Sequence, residues 1–361
     1  MIFFLLGKAF LNLQKKMISH KTKQIYIITF ILFVIIAACQ RPQQLHKITF
    51  NGKALGTYYT IHIFHTDTSN TFRETFQHSI DSTLDNFNSV ASIYNPHSII
   101  SKINQNTSYE TNQMFVDIFN TSMEISQISS GAFDITIGPL VNAWGFGFTD
   151  SAMISDHYID SILSFTGNSF VRLKDNSIEK DDPRVMLDMN GIAKGYAVDL
   201  VAGFIESKGI DSYIVEIGGE IKTGKKKPDG SKWIVAIEKP AENASSAQEI
   251  EEKIYLENEA CATSGTYRRY YEKNGERYSH TINPKTGYPV THNLISTTII
   301  APDCMTADAL ATACMVLGPE DAANLIESLE EIEAYFIIAE KGNKGWKIEY
   351  TSGFKKYLSN E

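Results

Sequence analysis

Cysteine is scarce in this chain of 361 residues, and the four that occur are poorly placed for cross-linking. Beyond Cys39 there are three, Cys261, Cys304 and Cys314, with no C-x-x-C pair and no histidine at zinc-finger spacing. An odd number with this spacing disfavours both a disulfide framework and a structural zinc site. All three lie among apolar residues, which predicts buried, unpaired thiols.

An excess of positive charge is also lacking. The chain carries 42 acidic and 33 basic side chains, a net charge of -9, and no basic run is interleaved with aromatic residues. Nucleic acid is therefore not an expected partner. The hydrophobic and charged fractions, 43% and 21%, are those of an ordinary globular protein. They allow one large domain or two modest ones.

Long apolar runs are missing except near the N-terminus. Lys21 and Lys23 precede an apolar run over 25–38, which is too short for a comfortable membrane span. Small residues stand directly before Cys39, a pattern that resembles a bacterial lipobox. In that interpretation Cys39 is acylated and becomes the first residue of the mature protein. The alternative is a plain membrane anchor with an incidental cysteine.

The lipobox interpretation divides the chain into four parts. Residues 17–38 form a lipoprotein signal peptide, 39–47 a polar tether, and 48–361 the folded domain. Met17 lies at a more usual distance from Cys39 than Met1 does, so residues 1–16 are predicted to be an upstream extension or a mis-assigned start. The folded domain is then held by lipid (palmitate) on the extracytoplasmic, periplasmic face of a membrane.

Helical and strand patterns mix along the folded domain. Ile48–Phe50 and Tyr58–Phe64 alternate apolar and polar residues like a strand pair. Thr71 and Glu74 have capping-box spacing before a long amphipathic helix. A second helix is predicted from Asn112 to Ser130, followed by a turn into a strand.

Two glycine-containing segments are candidates for ligand contact. The first, over 131–147, is rich in glycine and aromatic residues, which suits a flat ligand or, equally, a tight structural corner. The second, over 188–196, leads into a predicted helix. Free N–H groups at the helix start and the charge of Lys194 favour phosphate, although an ordinary strand-to-helix turn has the same pattern.

An alanine-rich stretch, Cys304–Gly318, is predicted to be a helix capped at Thr306 and ended by Gly318. Asp308 and Thr312 are four residues apart and therefore share one face. A carboxylate and a hydroxyl are hard oxygen donors of the kind that bind Mg²⁺ and leave positions for phosphate. The alternative is that Asp308 complements the helix dipole and Thr312 fills the core.

His280 follows a predicted hairpin with the turn Asn274-Gly275 and precedes a turn rich in proline and glycine. A histidine at a strand end can act on a bound ligand. A lone histidine is more often structural.

Taken in order, these segments resemble the ApbE-type FAD:protein FMN transferases, flavin transferases of the bacterial envelope. The resemblance runs from about residue 48 to the C-terminus, and the lipobox is similar to that of the lipoprotein members. It depends on seven motifs: Leu55-Gly56-Thr57, Gly131–Pro139, Asp188–Tyr196, Gly218-Gly219-Glu220, Ala262–Gly265, His280–Gly287 and Thr306–Thr312.

The resemblance implies an α+β fold, with an antiparallel sheet core related to the tunnelling fold and helices packed around it. It also implies roles for individual residues. His280 corresponds to the base, and the metal ligands are Asp308, Thr312 and the main-chain oxygen of Gly191. The implied FAD contacts are Leu55, Tyr94, Ala132, Phe133, Asp134, Asp188, Lys194 and Ile282.

The implied reaction moves FMN from FAD to a Ser/Thr hydroxyl of an acceptor protein, with Mg²⁺ and with release of AMP. FAD is the substrate, and the acceptors of the family include subunits of membrane redox complexes. Two other functions remain open from the residues alone. One is a Mg²⁺-dependent FAD pyrophosphatase that gives FMN and AMP, and the other is a flavin-binding lipoprotein without catalysis.

Overall fold

The computed structural model describes residues 23, 25–26, 44–147, 154–240, 249–266, 270–273, 276–340 and 345–359. Residues 46–361 form one compact unit. Cys39, nearly all of the predicted extension and signal peptide, and the Asn274-Gly275 turn lie outside the described residues. Within the described ranges, no helix is both long enough and apolar enough to cross a membrane.

The described chain contains strands, helices and two short 3-10 turns. The strands are β1 His46–Ala54, β2 Thr57–His65, β3 Val171–Lys174, β4 Ser177–Lys180, β5 Tyr213–Ile217, β6 Glu220–Thr223, β7 Trp233–Glu238, β8 Ile250–Leu256, β9 Ala260–Gly265, β10 Tyr270–Lys273, β11 Glu276–Ser279, β12 Leu294–Ala301, β13 Glu333–Ala339 and β14 Trp346–Tyr350. The helices are α1 Asn70–Ala91, α2 Ile99–Asn104, α3 Gln113–Ile128, α4 Gly138–Ala143, α5 Asp156–Leu163, α6 Ala193–Ser207, α7 Cys304–Leu317 and α8 Pro319–Glu327.

Eight strands form one sheet in the order β1-β2-β5-β6-β9-β12-β13-β14. Every neighbouring pair in it is antiparallel. Helices and sheet segregate into layers, so the predicted α+β class with an antiparallel sheet core is confirmed.

The sheet separates two apolar cores, because alternate residues of each strand point to opposite faces. On β12, for example, Ile299 belongs to the larger core beneath the helices and Ile300 to a smaller one. Hairpin β7–β8 and the C-terminal turn Phe354–Tyr357 cover the smaller core. Among the candidate residues, Phe133 and Ile282 belong to the larger core, and Asp308 stands between its members Ala307 and Ala309.

Helix α1 begins at a different cap from the one predicted. Its cap is Ser69, whose hydroxyl accepts a hydrogen bond from the N–H of Phe72 at 3.2 Å. The capping box assigned to Thr71 and Glu74 is therefore wrong, because Thr71 already lies in the first helical turn. The apolar spacing was sufficient to identify the helix: Phe76, Ile80, Leu84 and Phe87 are buried on one face.

The strand predicted after Gly131 does not form. Ile137 makes only an isolated parallel bridge to Met186, and α4 begins at the next residue. Pro139 favours the first helical turn, since its ring presets φ and its missing N–H needs no partner there. The segment thus becomes a turn and a short helix that frame a pocket.

Candidate functional site

Helices α6 and α7 cross at an unusually close contact. A Cβ atom at Gly195 would lie 2.2 Å from the main-chain oxygen of Cys304, a distance that no side chain can occupy. Glycine therefore sets the separation of the two helices at this point. The contact brings the 188–194 loop against the first turns of α7.

Asp308 lies in this contact and is almost fully buried. Its Oδ2 accepts a hydrogen bond from the N–H of Gly195 at 3.0 Å. The first residues of α6 have no side-chain cap from their own segment, since Ile192 stands at the cap position. The carboxylate of α7 thus supplies an acceptor to the start of α6, where the positive helix end favours it.

Thr312 lies one turn further along α7 and meets the same loop. Its hydroxyl donates to the main-chain oxygen of Gly191 at 3.3 Å. Gly191 is also packed closely against the ring of Phe133. The three oxygen-bearing groups predicted as metal ligands, at Gly191, Asp308 and Thr312, therefore lie at one helix–loop contact.

The donor set suits a hard cation. Among the described residues no group of three or more His, Cys, Asp or Glu side chains can hold a metal ion. The predicted ligands at Gly191, Asp308 and Thr312 are not such a group, because they offer one main-chain carbonyl, one carboxylate and one hydroxyl. Mg²⁺ is often held by one or two carboxylates while keeping water and substrate phosphate as its other ligands, so this oxygen set fits Mg²⁺.

The predicted helix cap at Thr306 is wrong. The cap of α7 is Asp303, whose carboxylate accepts the N–H of Thr306 at 2.8 Å and its hydroxyl at 3.0 Å. The helix consequently begins at Cys304, shortly after the end of β12. Its end at Gly318, with φ +83°, agrees with the prediction.

Lys194 forms an ion pair with Glu220 at the first residue of β6. Burial disfavours the charge on Lys194, but the neighbouring carboxylates of Asp308 and Glu220 outweigh burial, so the pKa of Lys194 is raised. Burial raises the pKa of Glu220 to about 7, against the opposite effect of Lys194. In the described part of the chain, Glu220 Oε2 is buried without a hydrogen-bond partner.

A pocket opens beside the Gly191 loop. It is open to solvent, and its empty space of about 310 Å³ includes open solvent. Its lining includes Tyr94, Phe146, Asp188 and Asn190, together with residues of α4. Tyr94 is 65% exposed, whereas Asp188 is buried at the pocket wall, where burial raises its pKa.

His280 contacts Phe146, which lines this pocket. The two rings meet edge to face, with centroids 6.3 Å apart. The turn that follows His280 is anchored by Trp144, whose indole N–H donates to the main-chain oxygen of Gly287 at 2.7 Å. His280 is thus placed next to the pocket wall, after strand β11 and before the turn that Trp144 anchors.

Four other residues predicted to contact FAD mostly contact other parts of the protein: Ala132, Phe133, Asp134 and Ile282. Ala132 and Phe133 are buried, and Ile282 is buried in the larger core. The carboxylate of Asp134 accepts the N–H and the hydroxyl of Thr136. Burial raises the pKa of Asp134, and its hydrogen bonds oppose that shift.

Leu55 occupies the β1–β2 turn with φ +52°, and its side chain packs against the larger core. The tip of this hairpin approaches the turn that carries Glu220, because a Cβ atom at Gly218 would lie 2.8 Å from the Thr57 side chain. The hairpin tip and the Lys194–Glu220 pair therefore lie at the same end of the sheet.

Three residues of this region were missed from the sequence: Asn104, Asp199 and Glu220. The amide of Asn104 pairs with both main-chain groups of Leu187, at 2.8 and 2.7 Å, and so fixes the segment before Asp188. Asp199 is an acidic residue in the middle of a largely apolar helix, and this position could have indicated a buried carboxylate with a specific partner. Glu220 was part of a recognised motif but had no assigned role.

The comparisons with known proteins agree with each other. The ApbE family model matches residues 55–336. The chain is similar to an FAD:protein FMN transferase of Vibrio cholerae, with 36% identity over 339 residues that cover 92% of this chain and 99% of the relative. The Escherichia coli K12 protein of the same name is 33% identical over 333 residues, covering 89% and 93%.

Solved structures give the same result. The flavin transferase ApbE from Vibrio cholerae has a TM-score of 0.76 at 34% identity, covering 87% of this chain and 100% of that one. The Pseudomonas stutzeri flavinyl transferase ApbE in its apo form has a TM-score of 0.77 at 33% identity, covering 88% and 99%.

Proposed function

The chain belongs to the ApbE family, and we propose that it is an FAD:protein FMN transferase that moves FMN from FAD to a Ser/Thr hydroxyl of an acceptor protein, with Mg²⁺ and with release of AMP. One observation carries the proposal. Asp308 and Thr312 contact the 191–195 segment at the start of α6, beside Lys194 and next to an open pocket.

The reaction is a phosphoryl transfer, in which the protein mainly positions groups and balances charge. Gly191, Asp308 and Thr312 would hold Mg²⁺, which when bound supplies positive charge to the pyrophosphate. Lys194 adds a fixed cation on the same side. Glu220 restrains that cation, because their ion pair holds the lysine side chain against β6.

We place one part of FAD in the pocket and the rest outside it. One ring system of FAD would fit between Tyr94 and Phe146, with Asp188 at the wall. The rest of the ligand would extend over the Gly191 loop towards Lys194.

His280 is the proposed base. A neutral imidazole can take the proton of the acceptor hydroxyl as that oxygen attacks phosphorus. Its place beside Phe146 puts it at the pocket edge, where an acceptor segment can reach it from solvent. This role does not require His280 to contact the metal ligands.

The remaining proposals concern location. We propose that Cys39 is lipidated and that the lipid holds the domain on the extracytoplasmic (periplasmic) face of the membrane. Acceptors would then be subunits of membrane redox complexes that expose a Ser/Thr on that face. The support is the small-residue pattern before Cys39 and the polar stretch that follows it.

Mass spectrometry of a candidate acceptor incubated with the protein, FAD and Mg²⁺ tests the function. The expected result is an adduct of FMN size on a Ser/Thr, with AMP released in equal amount. Free FMN and AMP without an adduct would identify a pyrophosphatase. No reaction with bound FAD would identify a non-catalytic flavin-binding protein.

A further inference from the structure

The start of α7 depends on a carboxylate from another helix. Asp199 of α6 accepts the N–H of Cys304 at 2.9 Å with Oδ1 and the N–H of Met305 at 2.8 Å with Oδ2. Asp303 accepts the next one, from Thr306. The first three N–H groups of α7 are thus satisfied by two carboxylates, one of them local and the other supplied by α6.

The start of α6 is satisfied in the opposite direction. Asp308 of α7 accepts the N–H of Gly195, as described above. Each helix therefore caps the other with one carboxylate, and we call Asp199 and Asp308 the carboxylate clasp. The charge-assisted hydrogen bonds of the clasp span the contact at which Gly195 and Cys304 almost touch.

The proposed metal ligands lie on both sides of this contact. Gly191 precedes α6, whereas Asp308 and Thr312 belong to α7. The spacing of their oxygens therefore depends on how α6 and α7 are held together. Asp303 caps α7 from the chain segment directly before it, and so its bonds to Thr306 do not set that spacing.

We propose that Asp199 is a positioning residue of the FMN transferase: by fixing the first turn of α7 to α6, it keeps Asp308 and Thr312 opposite the oxygen of Gly191. This inference rests on the proposed function. In this arrangement Asp199 acts through the helix start and not through the substrate. Residues that orient metal ligands from behind typically contribute a factor of about 10–100 in metal affinity.

The test compares Asp199→Asn with Asp303→Asn, a matched control at the same helix start. In Asp199→Asn the new amide keeps the volume of the carboxylate but leaves one of the two N–H groups facing an NH₂ group. Two measurements are made on each variant: hydrogen exchange by mass spectrometry over 193–197 and 304–308, and FAD binding by flavin fluorescence across a MgCl₂ series. The FMN transfer rate is followed over the same series.

For Asp199→Asn we expect faster exchange at the starts of both α6 and α7. The MgCl₂ concentration for half-maximal FAD binding and for half-maximal transfer should rise about tenfold. For Asp303→Asn the amide oxygen still accepts the N–H of Thr306, so we expect little change in exchange at either helix start and an unchanged MgCl₂ requirement. If Asp199→Asn does not fold, Asp199→Glu keeps the charge, moves the carboxylate by one methylene group, and should give a smaller shift in the same direction.

Several outcomes would overturn the inference. An unchanged MgCl₂ requirement in a folded Asp199→Asn or Asp199→Glu protein would reduce Asp199 to a structural cap, as would equal shifts for Asp199→Asn and Asp303→Asn. Exchange confined to α7 in Asp199→Asn would contradict the clasp itself. If wild-type protein transfers no FMN at any MgCl₂ concentration, the proposed function fails, while exchange and FAD binding still decide the role of Asp199.

Discussion

The hydroxyl of Thr312 donates to the main-chain oxygen of Gly191 across 3.3 Å, and this bond joins the middle of α7 to the loop that begins α6. Two proposed ligands of one cation therefore hold each other in place. A hydroxyl hydrogen can rotate away when the oxygen is needed as a ligand. The hydrogen bond thus holds the two oxygens close together, so that only small movements would be needed for both to bind one cation.

Asp308→Ala should nearly abolish transfer. The substitution removes the only carboxylate of the proposed ligand set, and neutral oxygens alone should hold a divalent ion poorly against water. It also removes the acceptor of the Gly195 N–H, at a cost of about 1 kcal/mol in the free energy of unfolding. Circular dichroism should still report a folded protein. Wild-type transfer by a folded variant with metal chelated would exclude the magnesium mechanism.

Thr312→Val should cost less than Asp308→Ala. Valine keeps the shape of threonine and deletes one neutral donor. Excess MgCl₂ should restore part of the rate, since mass action offsets weaker binding. The rates of both variants are compared over one MgCl₂ series, and a larger loss for Thr312→Val would contradict the assigned roles.

Lys194→Ala should weaken the binding of FAD more than that of riboflavin, because only FAD carries the pyrophosphate. The variant also leaves Glu220 buried without its ion partner, which lowers stability. The double variant Lys194→Ala/Glu220→Gln is the matched control. It should recover stability in urea unfolding but not FAD affinity in fluorescence titration. Equal losses for both flavins would assign Lys194 to the fold.

Asp199 should make stability depend on pH. Burial, with a smaller effect from nearby Asp303, raises the pKa of Asp199 to about 6 against the opposing effects of Lys222 and the two N–H groups of α7. The folded state therefore binds a proton that the unfolded chain releases between about pH 4 and 6. Stability should fall across that window as pH rises, by up to about 3 kcal/mol, and level off above it.

Urea unfolding of wild type and Asp199→Asn from pH 4 to 7 isolates this contribution. The difference between the two free energies of unfolding should change with pH only inside the window. A difference that is constant with pH would mean that the pKa of Asp199 is ordinary.

Cys39→Ala should release the protein from membranes if Cys39 carries the lipid. Fractionation of cells and uptake of labelled palmitate give the two measurements. The lipobox interpretation is wrong if the variant remains with membranes and the wild type takes up no label.

The sequence alone predicted the features that depend on residues close to each other along the chain. A spacing of four residues puts Asp308 and Thr312 on one helix face whatever the rest of the chain does. Apolar spacing likewise located α1 and α7, although both caps were misassigned, because several Ser, Thr and Asp residues near each start compete for the cap position.

Local sequence patterns could not predict contacts between segments that are distant along the chain. The charge of Lys194 was expected to favour phosphate, but its partner Glu220, from a strand 26 residues later, was not predicted. Asn104 fixes Leu187 across 83 residues. Nothing in the spacing of either pair specifies the partner, since the sheet order decides which segments meet.

The two cores on opposite faces of the sheet have a practical consequence for handling the protein. Lys253 is exposed on hairpin β7–β8. The smaller core and then the sheet lie between this hairpin and helix α7, which carries Asp308. A fluorophore or a surface linker attached there would be separated from the proposed metal ligands by the smaller core and by the sheet. Immobilisation through that hairpin should therefore leave the helical side, which carries the proposed metal ligands, facing solution.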